Sequence, residues 1–283
     1  GARITMTETS NIHPTAIIDS SASIDASAIV GPYCIIGKNV VIGAGTQLLN
    51  HVTVQCNTTI GSGNKIFPYA VIGGAPQDKK YAGEETTLTV GDDNEIREHV
   101  TIHRGTGQGG GTTTVGSRNL LMVGTHVAHD CILGNDIVIA NQVMLAGHIH
   151  VDDCATIGGG AGINQFSRVG RCAYVGGLAR ITKDVPPYMI VEGTPAEARA
   201  VNVVAMSRRG YSDAEIEAIK DGFKRIFKEN GSSFDERIQL LSESYPEFVC
   251  VQCLCDAMKL SASGKHGRSN EKNMSSQSAK VST

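Results

Sequence analysis

The sequence predicts a β-solenoid, a parallel β-helix, because aliphatic residues recur every six positions along most of the chain. One run of eleven such residues extends from Ile12 to Ile72, and a second run of twelve extends from Val115 to Ile181. Glycine directly follows the aliphatic residue in many of these hexads, as expected where a chain turns sharply. Six residues therefore form a short strand and a corner, and three such units form a triangular coil of 18 residues.

Two segments interrupt this repeat. The six-residue frame is kept in the first, but Asp78 and Glu84 occupy aliphatic positions, so we expect a projecting loop near residues 73–89. The glycine-rich segment near residues 104–114 shifts the frame and is the second predicted loop. Loops on a rigid scaffold often carry ligand contacts, although a plain insertion is the alternative for each. The β-helical domain is expected over residues 11–190, with these loops projecting from it.

The repeat stops at a VPPY segment, and helical signals follow it. Ser212 and Ser233 each begin the S-x-x-E pattern of a capping box ahead of a stretch with one apolar face. We expect a helical domain over residues 191–260. Residues 261–283 are rich in serine and have almost nothing to bury, which predicts a disordered tail.

Composition argues against several kinds of function. The net charge of −3 gives no broad attraction to nucleic acid or to an anionic membrane. No apolar run reaches the roughly 18 residues of a membrane span. The eight cysteines are scattered and lack the density of a disulfide scaffold. Cys250 and Cys253 form a CxxC pair with no second pair or histidine nearby, which favours packing over zinc or redox chemistry.

Several polar residues are expected to converge on neighbouring coils, because positions 18 apart stack at about 4.8 Å. A histidine beside a carboxylate and beneath a glycine provides a base, an orienting partner and a backbone N–H for an oxyanion. This arrangement suits acyl transfer, in which the acceptor hydroxyl attacks directly and no cofactor is needed. The convergent set comprises His103, His126, His129, Asp130, Gly147, His148 and Gln165.

Two other interpretations remain open. His126, His129 and His148 are ligand types with a spacing suitable for zinc. A zinc site would make the chain similar to the γ-class carbonic anhydrases, which share hexapeptide repeats. A non-catalytic scaffold subunit of the same fold is the third interpretation, and it predicts neither turnover nor metal.

Residues 102–131, IHRGTGQGGGTTTVGSRNLLMVGTHVAHDC, closely resemble the UDP-N-acetylglucosamine acyltransferases that begin lipid A synthesis. The segments QDKKYAGE, LAGH, VPPY and NVVAMSRRG extend the resemblance over about residues 11–260. It implies a left-handed parallel β-helix with a C-terminal helical domain, assembled as a homotrimer with active sites between subunits. It also implies transfer of an (R)-3-hydroxyacyl chain from acyl carrier protein to the 3-hydroxyl of UDP-N-acetylglucosamine.

The resemblance also implies a role for particular residues. His129 matches the general base, Asp130 its partner, and Gly147 the N–H donor to the thioester oxyanion. Gly177 lies in the region of the acyl-length gauge, where glycine leaves room for a longer chain. Contacts to the sugar and acyl ends of the substrates are implied for Asp78, Lys80, His126 and His148. Contacts on the nucleotide side are implied for His103, Gln165, Asn202 and Arg209, with the basic Arg208 adjacent.

The resemblance bears on recognition of uridine and on the compartment. Asn164 and Val204 depart from the histidine and the acidic residue usual in bacterial members, which leaves the uridine-side contacts undefined. Bacterial members are cytoplasmic, whereas plants carry similar enzymes in mitochondria. The residues before Met6 and the serine-rich tail extend beyond the compact bacterial pattern. We therefore expect a mitochondrial location, with the bacterial cytoplasm as the alternative.

Overall fold

The computed structural model describes residues 11–271, which form a left-handed parallel β-helix followed by four helices. The fold class predicted from the sequence is confirmed. Three strands in each coil supply the three walls of a triangular prism. Within residues 11–271, no helix is long and apolar enough to cross a membrane.

The strands of the prism are short, and most contain two residues. In chain order they are β1 (Ile17–Ile18), β2 (Ser23–Ile24), β3 (Ile29–Val30), β4 (Ile35–Ile36), β5 (Val41–Ile42), β6 (Gln47–Leu48), β7 (Thr53–Val54), β8 (Thr58–Ile60), β9 (Lys65–Ile66), β10 (Val71–Gly74), β11 (Thr87–Val90), β12 (Glu95–Ile96), β13 (Thr101–His103) and β14 (Thr112–Val115). They continue with β15 (Leu120–Leu121), β16 (His126–Val127), β17 (Ile132–Leu133), β18 (Val138–Ile139), β19 (Met144–Leu145), β20 (His150–Val151), β21 (Thr156–Ile157), β22 (Gly162–Ile163), β23 (Arg168–Val169), β24 (Tyr174–Val175), β25 (Arg180–Ile181), β26 (Met189–Gly193) and β27 (Ala196–Val201).

Each wall is a parallel sheet whose neighbouring strands belong to successive coils. The first wall is β1-β4-β7-β10-β13-β16-β19-β22-β25, and the second is β2-β5-β8-β11-β14-β17-β20-β23. The third is β3-β6-β9-β12-β15-β18-β21-β24-β26, and β27 adds to it antiparallel. Pairing is in register, with His126 opposite Met144, for example. The aliphatic residue of each hexad therefore stacks on its equivalents inside the prism.

Alternation within each strand explains why the hexads build this core. In β4, Ile36 points inward and is 1% exposed, whereas its neighbour Ile35 points outward and is 45% exposed. The chain then turns at a corner residue with positive φ, such as Asp130 at 60° or His148 at 61°. Corner residues stack into three edges. We call them the first, second and third edge and define each by three of its residues in the later coils. The first edge carries Asp130, His148 and Phe166, the second Asp136, Cys154 and Cys172, and the third Gln142, Gly160 and Leu178.

Both insertions leave the prism at the first edge. The first loop joins β10 to β11 over residues 75–86, and the second joins β13 to β14 over residues 104–111. Each therefore replaces a corner between the first and second walls. The second loop contains one turn of 3-10 helix at Gly107–Gly109. The next corner along the same edge is that of Asp130.

Four helices follow the prism. They are α1 (Val203–Arg208), α2 (Asp213–Phe227), α3 (Phe234–Ser244) and α4 (Val249–Ser263). Ser212 and Ser233 form the two capping boxes predicted from the sequence, each with the glutamate three residues later. The helices bury one another's apolar faces, since Ile219, Leu241 and Leu254 are fully buried.

The predicted disorder of the tail is wrong for residues 261–271. Helix α4 continues to Ser263, and the next residues pack against the end of the prism. The Arg268 guanidinium donates to the Thr182 carbonyl at 3.1 Å, and the Ser269 N–H donates to Asp184 Oδ2 at 2.9 Å. Polar contacts thus order a segment with little apolar surface. The rest of the predicted tail and the first ten residues lie outside the described part of the chain.

Candidate active site

A buried histidine and aspartate lie side by side on the first edge. His129 follows strand β16, and its Nδ1 lies 2.7 Å from Asp130 Oδ2. Each residue is only 4% exposed, although neither belongs to the inward aliphatic series. The hydrogen bond favours the tautomer with its proton on Nδ1, which leaves the Nε2 lone pair of His129 available as a base.

The second loop holds the Asp130 carboxylate. The Thr106 N–H donates to Oδ1 at 2.8 Å, and the Thr106 hydroxyl donates to Oδ2 at 2.7 Å. Gly109 lies so close that a Cβ there would overlap the carboxyl group. Burial raises the pKa of Asp130, but the hydrogen bonds from His129 and Thr106 outweigh it and lower the pKa below its usual range. The carboxylate is therefore ionised at neutral pH.

The Gly147 backbone lies directly against the His129 imidazole. A Cβ at this position would come within 2.5 Å of His129 Cε1, so only glycine lets the ring lie against the backbone. Among the described residues, the Gly147 N–H has no hydrogen-bond acceptor. An unpaired backbone donor beside a base is suited to binding an oxyanion.

His148 completes a cluster around the carboxylate. Its ring meets that of His129 edge-on at 5.1 Å between centroids, and its Nε2 lies 3.6 Å from Asp130 Oδ2. The His148 ring also stacks on Phe166, with 4.6 Å between the ring centroids. Burial lowers the pKa of His148, which favours a neutral ring at pH 7.

His103 and His126 form a second histidine pair in neighbouring coils. Their ring centroids are 4.8 Å apart, and His126 Nδ1 lies 2.7 Å from the Thr101 hydroxyl. His103 Nδ1 is buried and has no hydrogen-bond partner among residues 11–271. The pKa of His103 is lowered to about 4, mainly by burial and to a lesser extent by the nearby His126 and His129. The four histidines predicted to converge therefore do so.

The first loop brings further predicted residues to the cluster. Asp78 raises the pKa of His148 and Lys80 lowers it, after the larger effects of burial, Asp130 and His129, so both charges lie within electrostatic reach of that ring. Asp78 Oδ1 also accepts the Lys80 N–H at 2.9 Å, which fixes the turn between them.

The residues that connect the two loops were not predicted from the sequence. Buried Arg104 donates to the Gly73 carbonyl and, at 3.2 Å, to the Tyr81 hydroxyl. Glu84 Oε1 accepts the Gly107 N–H at 3.0 Å. Thr106 is the most informative omission, because a threonine ahead of a glycine-rich turn is a recognisable cap signal.

Other predicted residues lie away from this cluster within one chain. Asn202 caps α1, and its Nδ2 donates to the Cys172 carbonyl at 2.9 Å on the second edge. Arg209 Nη1 lies 3.7 Å from Asp136, also on the second edge. Arg208 is exposed at the end of α1.

Two further predicted positions are accessible. Gln165 is exposed and lies one coil beyond Gly147 on the first edge. Gly177 precedes Leu178 at the third edge, where a Cβ would meet the Gly159 carbonyl oxygen at 3.4 Å, an ordinary contact. The prism therefore does not require glycine at position 177.

The side chains that could hold a metal differ from the predicted trio. Ligand atoms of His129, Asp130 and His148 lie within 4.8 Å of one another. No such group in the described part of the chain includes His126, which belongs to strand β16 rather than to a corner. The predicted zinc arrangement of His126, His129 and His148 is not formed.

The chain is an O-acyltransferase of the hexapeptide β-helix class, and a buried histidine–aspartate pair beside a backbone N–H without an acceptor among the described residues suits that chemistry. The family model described as UDP-N-acetylglucosamine O-acyltransferase, domain 2, matches residues 184–267. The chain belongs to the UDP-N-acetylglucosamine acyltransferase family, as its similarity to whole solved structures shows.

Three of these structures illustrate the similarity. LpxA from Acinetobacter baumannii is 46% identical over 87% of this chain and 95% of its own, with a TM-score of 0.84. UDP-N-acetylglucosamine O-acyltransferase from Moraxella catarrhalis is 48% identical with the same coverage and TM-score. The Arabidopsis UDP-N-acetylglucosamine acyltransferase is 32% identical over 90% of this chain and 98% of its own, with a TM-score of 0.80.

The depressed pKa of His103 predicts a loss of stability in mild acid. Below about pH 6.5 the unfolded chain binds a proton at this residue, whereas the folded chain does not until about pH 4. Lowering the pH from 7 to 5 should therefore reduce the unfolding free energy of the unmodified chain by about 2 kcal/mol more than it reduces that of His103→Gln. Urea unfolding at both pH values measures this difference. An NMR titration placing His103 near pH 6.5 would contradict the prediction.

Proposed function

We propose that this chain transfers an (R)-3-hydroxyacyl group from acyl carrier protein to the 3-hydroxyl of UDP-N-acetylglucosamine, the first step of lipid A biosynthesis. The observation that carries the proposal is the buried His129–Asp130 pair lying against Gly147, on the scaffold of this enzyme family. The predicted zinc site of His126, His129 and His148 loses its support, because His126 is not among the clustered possible ligands His129, Asp130 and His148. A purely structural role gives no reason for an unbonded N–H beside an oriented histidine.

The reaction follows from the positions of these atoms. His129 Nε2 takes the proton of the sugar 3-hydroxyl, and the oxygen attacks the thioester carbonyl carbon. The Gly147 N–H stabilises the resulting oxyanion, while Asp130 stabilises the imidazolium through Nδ1. Collapse of the tetrahedral intermediate breaks the carbon–sulfur bond. The departing thiolate recovers the proton from Nε2, and His129 returns to its neutral form.

Binding of the two substrates falls to the remaining polar residues. Near the histidine cluster, Asp78, Lys80, His126 and His148 would contact the sugar and acyl ends. His103, Gln165, Asn202, Arg208 and Arg209 would contact the nucleotide side, and the arginines could also meet acidic groups of the carrier protein. Gly177 would leave space for the far end of the acyl chain.

Removal of the base tests the proposed chemistry. His129→Gln should keep the buried volume nearly filled and lower turnover by about 10²- to 10⁴-fold. Turnover is measured by mass analysis after incubation with UDP-N-acetylglucosamine and hydroxyacyl carrier proteins of several lengths. His99→Gln, at an exposed histidine stacked on Tyr69, is the matched control and should keep normal turnover.

Two results would overturn this proposal. One is the absence of any acylated sugar nucleotide with the unmodified chain and every donor. The other is a folded His129→Gln protein within a few-fold of normal turnover, which would place the base elsewhere.

Thr106 is expected to be a positioning residue that acts through Asp130. Thr106→Val removes a hydrogen bond to a buried charge, typically worth about 1.5–3 kcal/mol, so kcat should fall roughly 10- to 100-fold. Thr106→Ser keeps the hydroxyl and should restore most of kcat. The pH dependence of kcat should also shift in Thr106→Val, because Asp130 would stabilise the imidazolium less well. An equal defect in both variants would indicate a steric role instead.

We also propose a homotrimer, since the predicted site residues occupy different edges of one prism. His129 lies on the first edge, Arg209 contacts the second, and Gly177 lies at the third. Closed threefold symmetry can bring the edges of neighbouring prisms together. Light scattering should give three times the chain mass. Mixed trimers of His129→Gln and Arg209→Ala chains should regain part of the activity that each variant lacks, and a fully active monomer would contradict the proposal.

The compartment stays a prediction. The similar structures include bacterial enzymes and a plant enzyme. The two bacterial enzymes described above are more similar to this chain in sequence than the plant enzyme is. The location of a fluorescently tagged full-length chain in plant cells would distinguish the mitochondrion from the alternative of a bacterial cytoplasmic enzyme.

A further inference from the structure

We propose that His129, Asp130 and His148 form a binding site for Zn²⁺, and that the bound ion inhibits the enzyme. The ion would occupy the position of the proton shared by His129 and Asp130. Zinc binding does not depend on the proposed function, whereas the inhibition rests on it. The site takes a ligand of a different class from the two substrates.

The possible ligand atoms of the three side chains all lie within 4.8 Å of one another. Asp130 Oδ2 lies 2.7 Å from His129 Nδ1 and 3.6 Å from His148 Nε2. Atoms bound to zinc at about 2.0–2.2 Å lie roughly 3.3–3.6 Å apart in a tetrahedron. The distance from His148 Nε2 to Asp130 Oδ2 already fits that range, whereas His129 Nδ1 and Asp130 Oδ2 must separate to admit the ion. Two imidazoles and one carboxylate would leave a fourth position open, as in many zinc sites.

Neighbouring side chains fix the orientation of two of these ligands. Thr106 donates to both oxygens of the Asp130 carboxylate. Phe166 stacks on the His148 ring and restricts its rotation. Hydrogen bonds and packing of this kind usually hold metal-binding carboxylates and imidazoles in place. The ion would replace only the N–H of His129 on Oδ2, and the Thr106 contacts would remain.

Inhibition follows from the single ring proton of neutral His129. With that proton on Nδ1, the Nε2 lone pair can accept a proton from a hydroxyl. Zinc bound at Nδ1 uses the lone pair of that nitrogen, so the ring proton moves to Nε2 and none is released overall. An imidazole with N–H at Nε2 cannot act as the base.

The donor set predicts which ions bind. Nitrogen ligands suit Zn²⁺, whereas Mg²⁺ and Ca²⁺ prefer sites made of oxygen. Mg²⁺ is therefore the matched ionic control. The eight thiols of the chain could also bind zinc, and the experiment must separate them from this site.

Calorimetry on the full chain, freed of metal with a chelator, tests binding. Zn²⁺ is titrated into the unmodified chain, His148→Gln and His150→Gln. One binding event should weaken at least tenfold in His148→Gln. His150 lies outside the three-ligand group on strand β20, so His150→Gln should bind zinc within threefold of the unmodified chain. With Co²⁺ in the same site, visible spectra should show nitrogen and oxygen ligation without a sulfur-to-metal band.

Activity measurements then test inhibition. Zn²⁺ should reduce acyl transfer by the unmodified chain, a chelator should restore it, and equal Mg²⁺ should have no effect. The proposal is overturned by equal zinc affinity in the unmodified chain and His148→Gln, by a sulfur-to-cobalt band, or by full turnover with zinc saturating. If the metal-free chain shows no acyl transfer at all, the proposed function fails, and calorimetry still decides the zinc site.

Discussion

In-register stacking of 18-residue coils is the constraint on which the rest of the structure depends. Each coil must place one aliphatic side chain per wall inside the prism, and most corners turn through a residue with positive φ. The coil has little freedom elsewhere, so variation is confined to outward strand residues and to corners. Functional groups can therefore gather only along an edge or on an outer wall. His129, Asp130 and His148 meet because their corners are consecutive on one edge.

The two insertions turn that edge into a site. They replace the two corners that precede Asp130, so its carboxylate faces a loop instead of another regular corner. The loop supplies both Thr106 donors, while Gly109 allows close approach. A buried carboxylate without such partners would be costly, and these hydrogen bonds keep it ionised. Stability of the charge and orientation of the imidazole thus come from the same contacts.

The sequence was sufficient for the fold class, the capping boxes and the convergence of four histidines, because each depends on regular spacing. The six-residue spacing could not predict the contact of Thr106 with Asp130, because Thr106 lies in the second insertion, where the repeat is interrupted. The spacing also could not show that His126 lies apart from the cluster of His129, Asp130 and His148, because side chains on a strand and at a corner point in different directions. Order in residues 261–271 was missed because polar contacts with Thr182 and Asp184 produce it. Left-handedness came from the family resemblance, since parallel crossovers are normally right-handed.

The glycines of the site belong to two physical groups, and the distinction limits what each can do. Gly109 and Gly147 are required by close approach, because a Cβ would overlap the Asp130 carboxyl or crowd the His129 ring. Substitution there would disturb the His129–Asp130 pair directly. Gly177 has room for a Cβ at ordinary contact distance, so the prism itself places no demand on this residue. Because Gly177 lies at the third edge, away from His129, a substitution there would chiefly affect molecules that bind along that edge. The fold therefore allows the residue at position 177 to change without disturbing the contacts of the His129–Asp130 pair.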